Sequence, residues 1–390
     1  MDLRSYFTDF LKQIRPTEEQ RSKMQDAHLE LRDQLADDED LGVLIVSTFI
    51  QGSYRRFTGI RPADSQQCDV DIIAVTTLHE KNYDPRSALE KFRPFLKKHY
   101  LGKYSLQGRS WGINVCDDVS LDLVPTSAPS EAIKESIEWT KSAAWNFPDE
   151  SEKLNAAMYK QLLLGNSNSL VERFSKAASQ ATWKQEPLRI PDREANKWDD
   201  THPLEQINWT WQKNADTSEH YVNVVKAIKW WRRLRVKKPK YPKSYPLEHM
   251  IGDCCPNGIS SMAIGVTLTL EAMEATYRPW INAGRKPVLG DRGVPGHDVL
   301  ERVTFDDFAA FMNEVQSAAV TARKALNANS VKESANLWRE LFGDEFPAPP
   351  DDDDDSDGSG DGSGGRGAVT GSGGFTPREQ QTQISGGRFG

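Results

Sequence analysis

With 390 residues, the chain is long enough to bury a large core and exceeds the size at which one core usually divides. Of its net charge of −8, residues 351–390 contribute −5 through eight acidic and three basic side chains, so the remainder is near balance. That balance argues against a main task of gripping long duplex nucleic acid; four unevenly spaced cysteines exclude a disulfide framework; and no apolar run nears the roughly 20 residues of a membrane span. The N-terminal stretch carries no signal-peptide core, and the expected location is the cytoplasm, with no membrane partner.

Residues 1–35 predict two helices. Apolar side chains at Leu3, Phe7, Phe10, Leu11 and Ile14 keep helical spacing, Pro16 breaks the run, and Thr17 with Gln20 restarts it as a capping box. From Gly42 the pattern becomes the β-rich run VLIVSTFI, which stops at Gly52-Ser53 and passes into a helix start. A polar loop leads to CDVDIIAV, a strand on which Asp69 and Asp71, two apart, share one face. One helix is expected over 85–99, followed by RSWGINVC and VSLDLVP, an antiparallel hairpin turning at Asp117-Asp118.

Beyond residue 150 the runs SEKLNAAMYKQLLL, SLVERFSKAASQA, HYVNVVKAIKWWRRLRV, GISSMAIGVTLTLEAMEATY and TFDDFAAFMNEVQSAAVTARKAL are helical. The expected architecture is α+β. Residues 1–150 form a mixed-sheet lobe with N-terminal helices, 151–346 a helical second lobe, and 347–390 an acidic, glycine-rich tail that cannot offset its ordering entropy and is expected to be disordered.

The chemistry is concentrated in three carboxylates. A pair at i and i+2 on one strand, Asp69 and Asp71, with a third, Asp122, on a neighbouring strand, suits two divalent cations set for in-line phosphoryl displacement. An isolated D-x-D is ordinarily solvated strand alternation. Here it follows Gly52-Ser53, where glycine admits close backbone approach and the amides, the helix dipole and the Ser53 hydroxyl suit a β,γ-phosphate. Asp117 and Asp118 compete for the third position, but their place ahead of a strand reads as a turn.

FIQGSYRRFT, CDVDIIAV and VSLDLVP together resemble the polymerase-β nucleotidyltransferase superfamily, whose pattern is hydrophobic-GS, DxD and a third Asp on a later strand. With NVVKAIKWWRRL, KSYPLEHMIGDCC, PVLGDRGVPGHDVL and LWRELFGDEF, the chain over residues 1–346 is similar to the cGAS/DncV-like enzymes, bacterial cyclic-oligonucleotide synthases of antiphage defence. The resemblance implies a polymerase-β-like core, two Mg²⁺ ions (or Mn²⁺) on Asp69, Asp71 and Asp122, and nucleoside triphosphates, ATP and in some members GTP, as substrates. The product it implies is a cyclic di- or trinucleotide second messenger. It further implies that Lys229, with Lys226 a turn earlier, meets donor phosphates, and that Ser244 and Tyr245 hold the donor nucleotide, the tyrosine against its base.

Arg55, Arg56, Arg61 and Arg109 are expected either at the surface or along an acceptor groove. His249, Cys254 and Cys255 lack a fourth zinc ligand and read as core packing, as do Trp230 and Trp231. Some relatives of this kind are joined through a C-terminal glycine to targets by a ubiquitin-transfer-like conjugating protein, which would make Gly390 a conjugation site, with an operon regulator as the other implied partner. Two rival readings stay open on the residues alone: nucleotidyl transfer to a drug, protein or RNA acceptor, and an inactive nucleotide-binding scaffold.

Overall fold

A computed structural model describes residues 1–63, 66–129 and 187–349. The helical runs expected at 151–164 and 169–181, the tail and Gly390 lie outside the described residues.

The chain begins with α1 (Arg4–Ile14) and α2 (Glu18–Asp37), separated at Pro16; the Thr17 hydroxyl caps Gln20 and the Gln20 side chain returns to the Thr17 amide. After a short 3₁₀ turn, β1 (Ile45–Gln51) leads into α3 (Gly52–Arg55), a single turn. Strand β2 (Cys68–Thr76) follows, then α4 (Pro85–Glu90) and α5 (Arg93–His99). One helix was expected over this last stretch. Pro94 has no amide to offer the Glu90 carbonyl, so the run breaks in two.

Strands β3 (Tyr104–Leu106), β4 (Trp111–Cys116) and β5 (Val119–Pro125) complete a five-stranded sheet of order β1-β2-β5-β4-β3. The pairing of β2 with β5 is parallel and the others are antiparallel, which makes the sheet mixed as expected.

Side-chain parity on β2 and β5 decides what each sheet face does. Val70, Ile72, Ala74, Leu121 and Leu123 point to one face, where Met24, Ala27, Leu31 and Leu35 of α2 and Leu89, Phe92 and Leu96 of the α4–α5 region bury them. On the other face the same two strands begin with Asp69, Asp71, Ser120 and Asp122. They continue with Ile73, Val75 and Val124, which pack against Leu188 and Ile190. Those last two belong to the hairpin β6 (Leu188–Asp192) and β7 (Lys197–Thr201). The stretch was read as part of a helical lobe and no strand was expected there; Pro191 has no amide to donate, which a two-stranded hairpin tolerates.

The second core is helical: α6 (Pro203–Asp216), α7 (Tyr221–Arg235), α8 (Ser244–Cys254), α9 (Met262–Asn282), α10 (Phe305–Asn327) and α11 (Val331–Phe342). Trp230, Trp231, Cys254 and Cys255 all lie within it. So does α1, which the sequence had placed with the sheet. Phe7 sits edge-on to Trp338 at 5.0 Å and Phe10 stacks on Phe342 at 4.4 Å, so aromatic burial draws α1 onto the C-terminal helices while α2 stays on the sheet.

Candidate active site

Strand β1 pairs with β2 so that Gln51 lies opposite Asp71, and the next residue, Gly52, turns the chain with φ of 72°. A Cβ built on Gly52 would stand 1.8 Å from Asp71 Oδ2, so only glycine lets the backbone pass over that carboxylate. The helix that follows has four residues, too short for the macrodipole invoked from sequence to matter much. What this turn offers an anion is its backbone amides and the Ser53 hydroxyl.

Asp71 and Asp122 are direct partners in the parallel β2–β5 register, and Asp69 is opposite Ser120. The Ser120 hydroxyl donates to Asp69 Oδ1, and Gln107 Nε2 donates to Asp122 Oδ1 at 2.9 Å. Burial pushes the Asp122 carboxyl up to about 7, with Asp71 and then Asp69 adding to the rise. Asp71 is likewise raised by burial, against the pull of the Arg56 guanidinium and with Asp69 reinforcing the shift. Three hard oxygen donors, two of them held above the ordinary carboxylate range, suit a divalent cation of the Mg²⁺ type. Among the described residues no three His, Cys, Asp or Glu side chains converge tightly enough to ligate an ion as they stand. Asp69 and Asp122 instead spend an oxygen each on Ser120 and Gln107.

A cleft of about 380 Å³ opens beside this group, with Ser53, Tyr54 and Asp69 on one wall and Lys229, Arg232, Arg233, Lys240, Lys243 and Ser244 on the other. Five basic residues share this lining with Asp69, a setting for a polyphosphate with its counter-ions, although Lys229 is paired with Glu248 and Arg232 and Arg233 donate to backbone carbonyls. Lys229 and Ser244 are among the residues that line this cleft. Lys226 and Tyr245 are not among the lining residues; the Tyr245 ring lies under Arg56 at 5.4 Å while its hydroxyl donates to Asp291.

Of Arg55, Arg56, Arg61 and Arg109 only Arg56 is buried, away from both the surface and the cleft. Arg56 is buried against Glu248 at 3.2 Å, and Arg109 ties two hairpin carboxylates, Asp192 and Asp199, at 2.8 Å each. Arg61 donates to the Arg15 carbonyl, and Arg55 lies over Trp211. None of the four lines the cleft. His249 Nε2 donates to the Gly290 carbonyl, 2.8 Å away, and Asp117-Asp118 form the β4–β5 turn, as read. Sequence reasoning missed Gln107, Ser120 and Glu248, the residues that hold the ones it found. No local pattern flags them, because each acts on a partner distant in the chain.

A mixed sheet carrying paired carboxylates behind a Gly-Ser turn, with a helical body closing the cleft, is a nucleotidyltransferase of the polymerase-β type. Residues 1–155 match the model of the Second Messenger Oligonucleotide or Dinucleotide Synthetase domain. The chain is 42% identical over 355 residues to the cyclic AMP-AMP-GMP synthase of Enterobacter hormaechei, covering 90% of this chain and 93% of that one. It is 27% identical over 351 residues to the cyclic AMP-AMP-AMP synthase of an Acinetobacter species, covering 89% and 86%. The Vibrio cholerae DncV cyclic AMP-GMP synthase, solved with nonhydrolyzable GTP, shares the fold with a TM-score of 0.63 at 12% identity over 89% of this chain and 97% of that one. The chain belongs to the cGAS/DncV-like family of cyclic oligonucleotide synthases. No helix among the described residues is long and apolar enough to cross a membrane.

Proposed function

We propose that this enzyme condenses ATP and GTP into a cyclic trinucleotide of the AMP-AMP-GMP kind, releasing pyrophosphate at each step, as a second messenger of antiphage defence. The observation that carries the reading is the in-register pairing of Asp71 with Asp122 across β2 and β5, directly behind Gly52. The choice of bases rests on the 42% identity to a synthase of that product.

In this reading Asp69, Asp71 and Asp122 hold Mg²⁺, or Mn²⁺ in its place. Bound there, such ions would neutralise charge on the triphosphate and would lower the pKa of the attacking ribose hydroxyl. The Ser53 hydroxyl and the amides of the Gly52 turn bind the terminal phosphates from one side, and Lys229 and Ser244 bind them from the other. Asp122, its orientation fixed by Gln107 and its carboxylate kept ionised by the cation it would hold, is placed to take up the hydroxyl proton. The flanking cations Arg232, Arg233, Lys240 and Lys243 draw the anionic substrates into the cleft.

The test is incubation of the full chain with ATP, GTP and Mg²⁺ and no other acceptor, followed by phosphatase digestion and mass spectrometry. A phosphatase-resistant product with the mass of two AMP and one GMP units, lost on chelation and in Asp69→Ala/Asp71→Ala, is expected. A product formed only when a drug, protein or RNA acceptor is added would replace cyclisation with the acceptor-transfer reading.

A further inference from the structure

Three charged side chains from three different elements meet away from solvent behind the cleft. Glu248, on the second turn of α8, points one carboxylate oxygen at Lys229 Nζ (2.9 Å) and the other at Arg56 Nη2 (3.2 Å). Their side chains are 6%, 7% and 8% exposed. Lys229 also donates to the Thr58 carbonyl at 3.0 Å, so its ammonium is fixed between α8 and the loop that follows α3.

Burying two cations around one carboxylate leaves a net positive charge, and Asp71 lies within reach of Arg56 to balance it. Charges are seldom kept this deep unless each is partnered, and removing one partner of such a set is costly. Lysine on its flexible four-carbon stem has no fixed direction of its own. On α7 it is Glu248 and the Thr58 carbonyl that give Lys229 one, at the wall facing Ser53.

We propose that Glu248 is the positioning residue for triphosphate binding: acting through Lys229, it holds that ammonium at the cleft wall, and with its second oxygen it holds Arg56 against the Asp71 side of the site. The inference rests on the nucleotide reading of the cleft. Glu248 does not touch substrate. Glutamine in its place accepts from one cation and turns an amide toward the other, so Lys229 loses its anchor. Aspartate, one methylene shorter, keeps the charge and cannot span both cations.

The experiment is equilibrium binding of a nonhydrolysable ATP analogue to the full chain, with melting curves for every variant. Glu248→Gln is expected to weaken binding about tenfold, Glu248→Asp less, and Lys229→Met by at least as much as Glu248→Gln. The double variant Lys229→Met/Glu248→Gln should bind within about threefold of Lys229→Met alone, because the glutamate acts through the lysine. A purely structural role would lower the melting temperature while leaving the affinity of the folded protein unchanged.

If Glu248→Gln does not fold, the triple variant Arg56→Met/Lys229→Met/Glu248→Met, which removes the charges together, takes its place and should bind no better than Lys229→Met. Wild-type affinity in Glu248→Gln, or losses that multiply in the double variant, overturns the proposal while leaving the proposed function standing; wild-type affinity in the triple variant overturns it together with the phosphate role given to Lys229. A wild-type protein that does not bind the analogue overturns both.

Discussion

Replacing Asp122 with asparagine should make the metal-free protein more stable at pH 8 and leave it without synthase activity. The Asp122 carboxyl titrates near 7 in the folded chain against 3.8 for the ordinary group, with burial as the largest cause and Asp71 and Asp69 after it. Below about pH 4 both folded and unfolded chains hold the proton, and the raised group does not count against folding. Between about 4 and 7 the unfolded chain gives up the proton while the folded chain keeps it, so stability falls as pH rises, by about 1.4 kcal/mol per unit at most.

The full span of some three units corresponds to about 4 kcal/mol, which partial solvation at the cleft reduces to about 1–3 kcal/mol. Asparagine keeps the shape and an acceptor for Gln107 and never ionises, so it escapes this loss. Denaturant unfolding in EDTA should therefore show Asp122→Asn ahead of wild type at pH 8 and level with it at pH 4. Adding Mg²⁺ should reverse the order, since only the wild type has all three carboxylates to bind it, and product formation should fall by about a thousandfold. A variant less stable than wild type at pH 8, or a difference that ignores pH, would show that Asp122 is not a destabilised acid.

The same carboxylate shows what could and could not be read from the sequence. Strand parity is a local property. Once CDVDIIAV is recognised as a strand, Asp69 and Asp71 must share a face, whereas Asp122 joins them only through the parallel β2–β5 register. The Asp117-Asp118 turn and the Thr17 capping box are equally local, and both hold. What escaped depends on distant partners. The aromatic residues of α1 match the core period of either lobe, and only the approach of Trp338 and Phe342 decides between them.

Glu248 reads as one more charge on a helix. Its burial follows from Arg56 and Lys229, 192 and 19 positions away. The arginines mislead for the same reason: Arg56 and Arg109 look free in sequence, and the folded chain has carboxylates waiting for both. Charge near a motif indicates an electrostatic field without saying which member of a pair faces the ligand.

Gly52→Ala should cost the enzyme at least a hundredfold in activity with only modest loss of stability. The added methyl meets Asp71 Oδ2 at 1.8 Å and the Asp71 carboxyl carbon at 2.7 Å, well inside contact distance. Asp71 cannot retreat with its strand, because β2 is paired on both sides, to Gln51 of β1 and Asp122 of β5. The carboxylate must swing aside by an ångström or more, and a displacement of that size at a reacting centre costs about 10² in rate.

The backbone adds a smaller penalty, since φ of 72° is disfavoured for any residue with a Cβ by about 1–2 kcal/mol. Gly102 separates the two effects. Its φ is 76° and an added Cβ there meets nothing within 4 Å, so Gly102→Ala carries the backbone strain alone. Gly102→Ala should unfold about 1–2 kcal/mol more easily than wild type and Gly52→Ala by at least that much, and only Gly52→Ala should stop making product. Equal activity in the two would mean that Asp71 tolerates displacement, and a carboxylate that can move so far is not holding the ion on which phosphoryl transfer depends.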